Sequence, residues 1–267
     1  MIDKRLSIGI LNLMPAKQAT ENQFQSIFKD AGAEFSVTWL TTYSYKSRNT
    51  AGEYMAAKYT DISFIKDRKF DIFIITGAPI EKMIFEEVCY WKELETILDF
   101  TRTNSLFNIF VCWAAQAALY RFYGINKIPL AVKYFGVFKQ QINPASFLYK
   151  NVKSALMPHS RHTSLNKKEI EKFHDLFIDA YCGEEVSVIS SKNGKDIFIT
   201  GHPEYDSNTL DLEYRRDLSA KLEVSIPFNY YPGNDTKQIP LNTWRPASLA
   251  LYKNIIEHVL KLKFKGE

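Results

Sequence analysis

The chain has 267 residues, of which 46% are hydrophobic and 24% charged, an ordinary balance for a water-soluble globular protein. A formal charge of +4, with Lys and Arg scattered rather than massed, excludes the basic stripe of a nucleic-acid-binding protein. Three cysteines, Cys89, Cys112 and Cys182, lie far apart, which excludes a disulfide framework, and no Cys/His spacing reads as a zinc site.

In chain order, Leu6 to Leu13 is expected as a first strand. Asn12 and Pro15 interrupt its apolar run, so it does not read as a signal peptide, and a reduced cytoplasmic compartment is expected. Thr20-Glu21-Asn22-Gln23 reads as a capping box, followed by Phe24, Ile27, Phe28 and Ala31 at helical spacing before Gly32. Phe35, Val37 and Trp39 alternate as a second strand, and Tyr43 to Asp61 reads as a long surface excursion with a short helix. Asp71 to Ile75 is a buried strand ending at Thr76-Gly77-Ala78-Pro79, and a helix is expected from about Phe85 to Arg102.

Leu106 to Val111 is a further strand, and it runs through Cys112 into the helix-like stretch Trp113 to Tyr120. That stretch contains Asn108 and Gln116 and reads as strand plus helix rather than as a membrane span. Cys112 thus stands at a strand-to-helix turn, where helix amides favour negative charge on a sulfur. Free cysteines also serve as small buried hydrophobes, and this segment alone fits either use. From Lys133 to Ile142 and from Val186 to Thr200 the chain is richer in β pattern. The second of these stretches runs into Gly201-His202-Pro203-Glu204-Tyr205-Asp206, and a final helix spans about Ser248 to Leu260. A cysteine at one strand end, with a histidine and a glutamate at another, has the nucleophile, base and orienter logic of covalent catalysis. The alternation implies an α/β fold with a mostly parallel sheet flanked by helices, one domain over residues 1–267 with insertions. In such sheets the site lies beyond the carboxyl ends of the strands.

Cys112-x-x-x-Gln116 after a strand, with His202-Pro203-Glu204 later, is similar to the flavodoxin-like, class I glutamine amidotransferase-like fold. The more specific resemblance is to the homoserine O-acyltransferase family, the homoserine transsuccinylases and transacetylases. Its carriers, in order, are Leu11 to Pro15, Thr20 to Phe24, Ser47 to Thr50, Thr76 to Pro79, Phe110 to Ala114 with Gln116 to Leu119, Pro158 to Arg161, and Thr200 to Asp206. The resemblance implies ping-pong acyl transfer. Cys112 would carry the acyl group as a thioester, His202 would take the proton of the acceptor hydroxyl, and Glu204 would orient His202. Lys133 and Ser160 match substrate-site positions, and Arg216 matches an arginine that binds the amino-acid carboxylate, although Arg215 could instead be the inward one. Lys17 matches a contact to CoA phosphates. Glu81 matches an acyl-donor selector, where Gly leaves room for succinyl and Glu fills it.

Acetyl-CoA is therefore the expected co-substrate, with no other cofactor and no metal. L-homoserine is the expected acceptor, for methionine biosynthesis, with L-serine, for cysteine biosynthesis, as the alternative. Succinyl-CoA is the alternative donor, and a homodimer is left open; no nucleic-acid or membrane partner is expected. Family members usually carry a longer segment before the first strand. A glutaminase would use the same Cys-His-Glu set, but Val111 and Ala114 stand where an amidotransferase elbow normally has glycines. A non-enzymatic sensor on the same fold, with Cys112 as an oxidisable thiol, is the third reading.

Overall fold

Apolar runs set the frame of the protein, a computed structural model that describes residues 4–44 and 50–265. Strand β1 (Leu6–Leu11) is buried at all but one position, and α1 (Lys17–Asp30) buries Phe24, Ile27 and Phe28 along one face. The helix starts ahead of the expected capping box. Ala16 occupies the N-cap without a side-chain bond, and Thr20 lies inside the first turn, where its Oγ1 donates to the Ala16 carbonyl at 3.2 Å.

After β2 (Phe35–Thr41) the expected excursion contains α2 (Gly52–Lys58), but it also holds an unforeseen strand, β3 (Tyr59–Asp61), paired in parallel with β2. Ser47 to Asn49 of the resemblance lie outside the described residues. Strand β4 (Phe70–Ile75) is buried throughout. The helix expected from Phe85 is instead a short 3-10 turn there, and extended backbone at Val88 separates it from α3 (Trp91–Asn104). Then come β5 (Ser105–Val111), α4 (Trp113–Tyr123), β6 (Lys127–Ile142), β7 (Ala155–Leu165) and α5 (Lys167–Ile170). The chain closes with β8 (Leu176–Cys182), β9 (Glu185–Ser191), β10 (Asp196–Ile199), α6 (Thr209–Ser219) and α7 (Arg245–Lys265).

The strands form one sheet in the order β3-β2-β1-β4-β5-β10-β9-β8-β6-β7. From β3 to β10 all neighbours are parallel, and from β10 to β7 all are antiparallel. Alternation along the strands separates two cores. Ile72, Ile74, Phe107 and Ile109 face α1 and α7, with Phe28, Leu251 and Tyr252. Phe73, Ile75 and Phe110 face α3 and α4, with Trp91, Leu98 and Trp113. Each such side chain stabilises the fold by roughly 1.5–3 kcal/mol.

A polar lock fixes the register at the seam between the halves. Asn108 stands opposite Asp196 and donates to its Oδ1 at 2.7 Å, while Arg102 donates to Oδ2 at 2.6 Å. A one-residue slip would turn every side chain of β10 to the other face. The lock therefore sets which residues meet at the far end of β5 and β10.

Beyond α6 the chain crosses β6. Phe228 donates to Phe135 O at 2.9 Å and accepts from Val137 N at 2.8 Å. Gly136 lies beneath at φ +141°, and a Cβ there would come within 2.4 Å of the Phe228 backbone, so the crossing requires glycine. No helix among the described residues is long and apolar enough to cross a membrane.

Candidate active site

The loops that follow β1, β4, β5 and β10 converge at the carboxyl ends of the parallel strands, as expected for an open sheet of this kind. Met14, Gly77, Cys112 and His202 line one pocket of about 350 Å³, within the range of small-molecule sites.

Cys112 takes φ 53° and ψ −117° between β5 and α4. For a residue with a Cβ such a shape costs on the order of 1–3 kcal/mol and persists only where its surroundings enforce it. Here the Ile199 carbonyl accepts from the Cys112 amide at 2.6 Å, and the Cys112 carbonyl accepts from Ala115 at 3.1 Å. The turn lifts the side chain over the sheet end, as in the strained elbow of other nucleophiles. Gly77 faces it: a Cβ there would stand 3.1 Å from Cys112 Cβ and 3.6 Å from His202 Cε1. Any larger residue would press on the sulfur.

His202 is held by its own amide, which donates to Pro158 O at 2.9 Å. Its Nδ1 lies 2.8 Å from Glu204 Oε1, and its ring stacks on Tyr205 with centroids 4.1 Å apart. With Nδ1 engaged, Nε2 is the nitrogen that meets Cys112. Burial alone would pull the His202 pKa down. The negative charge of Cys112, then that of Glu204, and hydrogen bonds to both outweigh it and hold the imidazole well above its usual value. The site favours a charged imidazolium beside Cys112.

The rim comes from β6, β7, α6 and the loop after β4. Lys133 Nζ lies 3.0 Å from Asp217 Oδ2 and 3.9 Å from the centroid of the Phe135 ring. Arg216 donates to Asp217 Oδ1 through Nε at 2.9 Å and Nη2 at 2.6 Å, so one carboxylate holds both cations. Arg215 turns elsewhere, to Asp211 at 2.9 Å and the Thr236 carbonyl. Of the two arginines, Arg216 lines the pocket. Ser160 donates to Glu213 Oε2, and Tyr205 donates to Glu213 Oε1 at 2.9 Å. Glu81 also lines the pocket. Burial raises its carboxyl pKa, against the opposing charges of Lys133 and His202.

Lys17 is only 7% exposed, its ammonium donates to the Asn12 carbonyl, and burial lowers its pKa to about 8. Sequence reading missed Glu213 and Asp217. Their spacing with Arg216, i, i+3 and i+4 on α6, places them on one helix face and was a usable signal. Among the described residues no group of three or more His, Cys, Asp or Glu is placed to hold a metal ion.

A family model described as homoserine O-succinyltransferase matches residues 3–263. A homoserine O-acetyltransferase of Desulfitobacterium hafniense (strain Y51) is 44% identical over 256 residues, covering 95% of this chain and 83% of that protein. One from Thermotoga petrophila is 43% identical over 260 residues, covering 97% and 86%. Among solved structures, a glutamine amidotransferase from Thermotoga maritima aligns with a TM-score of 0.62 at 12% identity, over 96% of this chain and 98% of that one. A glutamine amidotransferase from Methylobacillus flagellatus gives 0.58 at 12% identity, over 98% and 95%. At such identity the two structures speak for the fold alone, which is of the class I glutamine amidotransferase type.

Proposed function

The chain belongs to the homoserine O-succinyltransferase family and is an O-acyltransferase; from that premise we propose that it transfers acetyl from acetyl-CoA to the hydroxyl of L-homoserine through a thioester on Cys112. The observation that carries this reading is a strained cysteine meeting a histidine–glutamate pair inside a pocket rimmed by a cation and a carboxylate.

In the first half-reaction the Cys112 sulfur attacks the thioester carbonyl of acetyl-CoA. The CoA sulfur leaves with the proton of the His202 imidazolium. One thioester replaces another, so little free energy changes hands, and His202 is left neutral. In the second half-reaction the acceptor hydroxyl gives its proton to His202 as its oxygen attacks the Cys112 thioester. An ester forms, and the sulfur leaves negative beside a recharged imidazolium. In this reading the first amide of α4, at Trp113, meets the transient oxyanion.

For the acceptor, Arg216 suits the carboxylate, while Glu213 suits the ammonium, with Ser160 bonded to it. Lys133 completes the cationic rim. For the donor, a carboxylate at Glu81 repels the distal carboxylate of succinyl and fills the room it needs. Acetyl-CoA is consumed as co-substrate, with no bound cofactor required.

The test is a steady-state comparison of acetyl-CoA and succinyl-CoA against L-homoserine and L-serine. Acetyl-CoA with L-homoserine should give the highest kcat/KM and parallel double-reciprocal lines. One methylene separates the two acceptors, worth about 1–3 kcal/mol, so a preference for L-serine would reassign the acceptor. Ammonia release from glutamine without acyl transfer would overturn the reading.

A further inference from the structure

A second cavity, of about 770 Å³, opens directly from the Cys112 pocket: Glu81, Lys82, Met83, Lys133, His162, Asp217 and Leu222 line both. We propose that this groove receives the pantetheine arm of the acyl-CoA donor. The proposal rests on the acyl-CoA reading above and extends it to a place in the fold.

Continuity and size come first. A pocket of about 350 Å³ holds an acetyl group and a small amino acid, so the long arm of the donor must leave it by an adjoining channel. The groove is within the volume range of ligand sites.

An irregularity in β6 builds one wall. Between Pro129 and Tyr134, five steps along β6 answer two along β7, from Thr163 to Arg161. Leu130 to Lys133 therefore leave the ladder, and bulges of this sort re-aim side chains beside active sites. The same bulge that brings Lys133 to the neck of the Cys112 pocket sets Val132 on the groove wall. Backbone peeled from a ladder also presents N–H and C=O groups, and pantetheine carries two amides.

Apolar walls come from three separate elements. Val132 is 72% exposed, Ile84 57% and Leu222 58%, although all three line a concave surface. Their chemistry matches the methylenes and paired methyl groups of the arm. Lys127 lines the groove and not the inner pocket; its ammonium donates to the Met83 carbonyl and stands 4.1 Å from the Phe85 ring centroid.

The experiment compares the rate of Cys112 acetylation by acetyl-CoA with that by S-acetyl-N-acetylcysteamine, which lacks most of the arm, in the full chain. The wild type should prefer acetyl-CoA strongly, because binding energy from the remote arm is used at the reacting carbonyl. Val132→Glu, and independently Ile84→Glu, should each shrink that preference by about tenfold. Lys127→Glu should shrink it less, with the effect fading as salt rises. An undiminished preference in both glutamate variants would overturn the proposal. So would a retained preference with a lower oligomeric mass in Val132→Glu, which would assign this face to a second copy of the chain. Acetylation by neither thioester in the wild type would reject the acyltransferase reading itself, and this inference with it.

Discussion

β5 and β6 stand in opposite relations to solvent. Six of the seven residues of β5 are buried, whereas β6 is open along most of its first half, from Lys127 to Lys133. The first belongs to the parallel part of the sheet, covered on both faces, and it ends beside Cys112. The second belongs to the antiparallel part and brings Lys133 to the pocket rim. Rigid, doubly covered strands can hold a costly backbone shape at Cys112. One-sided strands with a bulge can present polar groups to a substrate. On the proposed reading, covalent chemistry sits on the parallel half and its seam with β10, and selection sits on β6, β7, α6 and the loop after β4.

If that division is real, changes on the parallel side should strike turnover and changes on the rim should strike substrate preference. Cys112→Ala removes the only proposed carrier and should lower kcat by on the order of 10³-fold or more; initial rates with acetyl-CoA and L-homoserine check it. His202→Gln and Glu204→Gln should cost about 10²- to 10⁴-fold. Glu204→Gln has a pH signature as well. The carboxylate raises the His202 pKa against burial, so its loss lets that pKa fall, and the rise of kcat with pH should move to lower pH. A rise that moved upward would mean that Glu204 does not act on His202.

On the rim, Arg216→Lys replaces a bidentate guanidinium by a point charge. A loss of about 1.5–3 kcal/mol, roughly tenfold to a hundredfold, should fall on kcat/KM for the acceptor rather than on acetylation of Cys112. An equal loss in both half-reactions would break the comparison. Glu81→Gly should raise kcat/KM for succinyl-CoA by about tenfold, the scale of one like-charge contact in a partly wet site. An unchanged donor preference would remove Glu81 from donor selection.

The smallest expected effect concerns stability alone. Asp179, on β8, is fully buried, and burial raises its pKa to about 6 from 3.8, against hydrogen bonds from Ser146 and Ser190. The folded state therefore holds more protons than the unfolded state between those values, and stability falls as pH rises through that window. Asp179→Asn should remove that fall, read as a flatter Tm between pH 4 and pH 7, with kcat little changed.

The same division decided what the sequence disclosed. Strands buried on both faces, such as β4, read as continuous apolar runs, and the helices between them show their period. The strand-end positions of Cys112 and His202 followed from those runs. The antiparallel half hid better. β7 reads Met157-Pro158-His159-Ser160-Arg161-His162, yet His159 and Arg161 are buried. Arg161 is satisfied by Glu185 and the Thr163 carbonyl, partners far away or invisible in a pattern of side chains. β3 was missed because only Tyr59 of its three residues is buried. The bulge in β6 has no sequence marker, because register belongs to a pair of strands.

The central claim is that Cys112 carries the acyl group. Mass spectrometry of the protein mixed with acetyl-CoA alone should show one added acetyl on the peptide containing Cys112, discharged on adding L-homoserine and absent from Cys112→Ala. O-acetyl-homoserine formed at the full rate with no acetyl ever found on Cys112 would contradict the account.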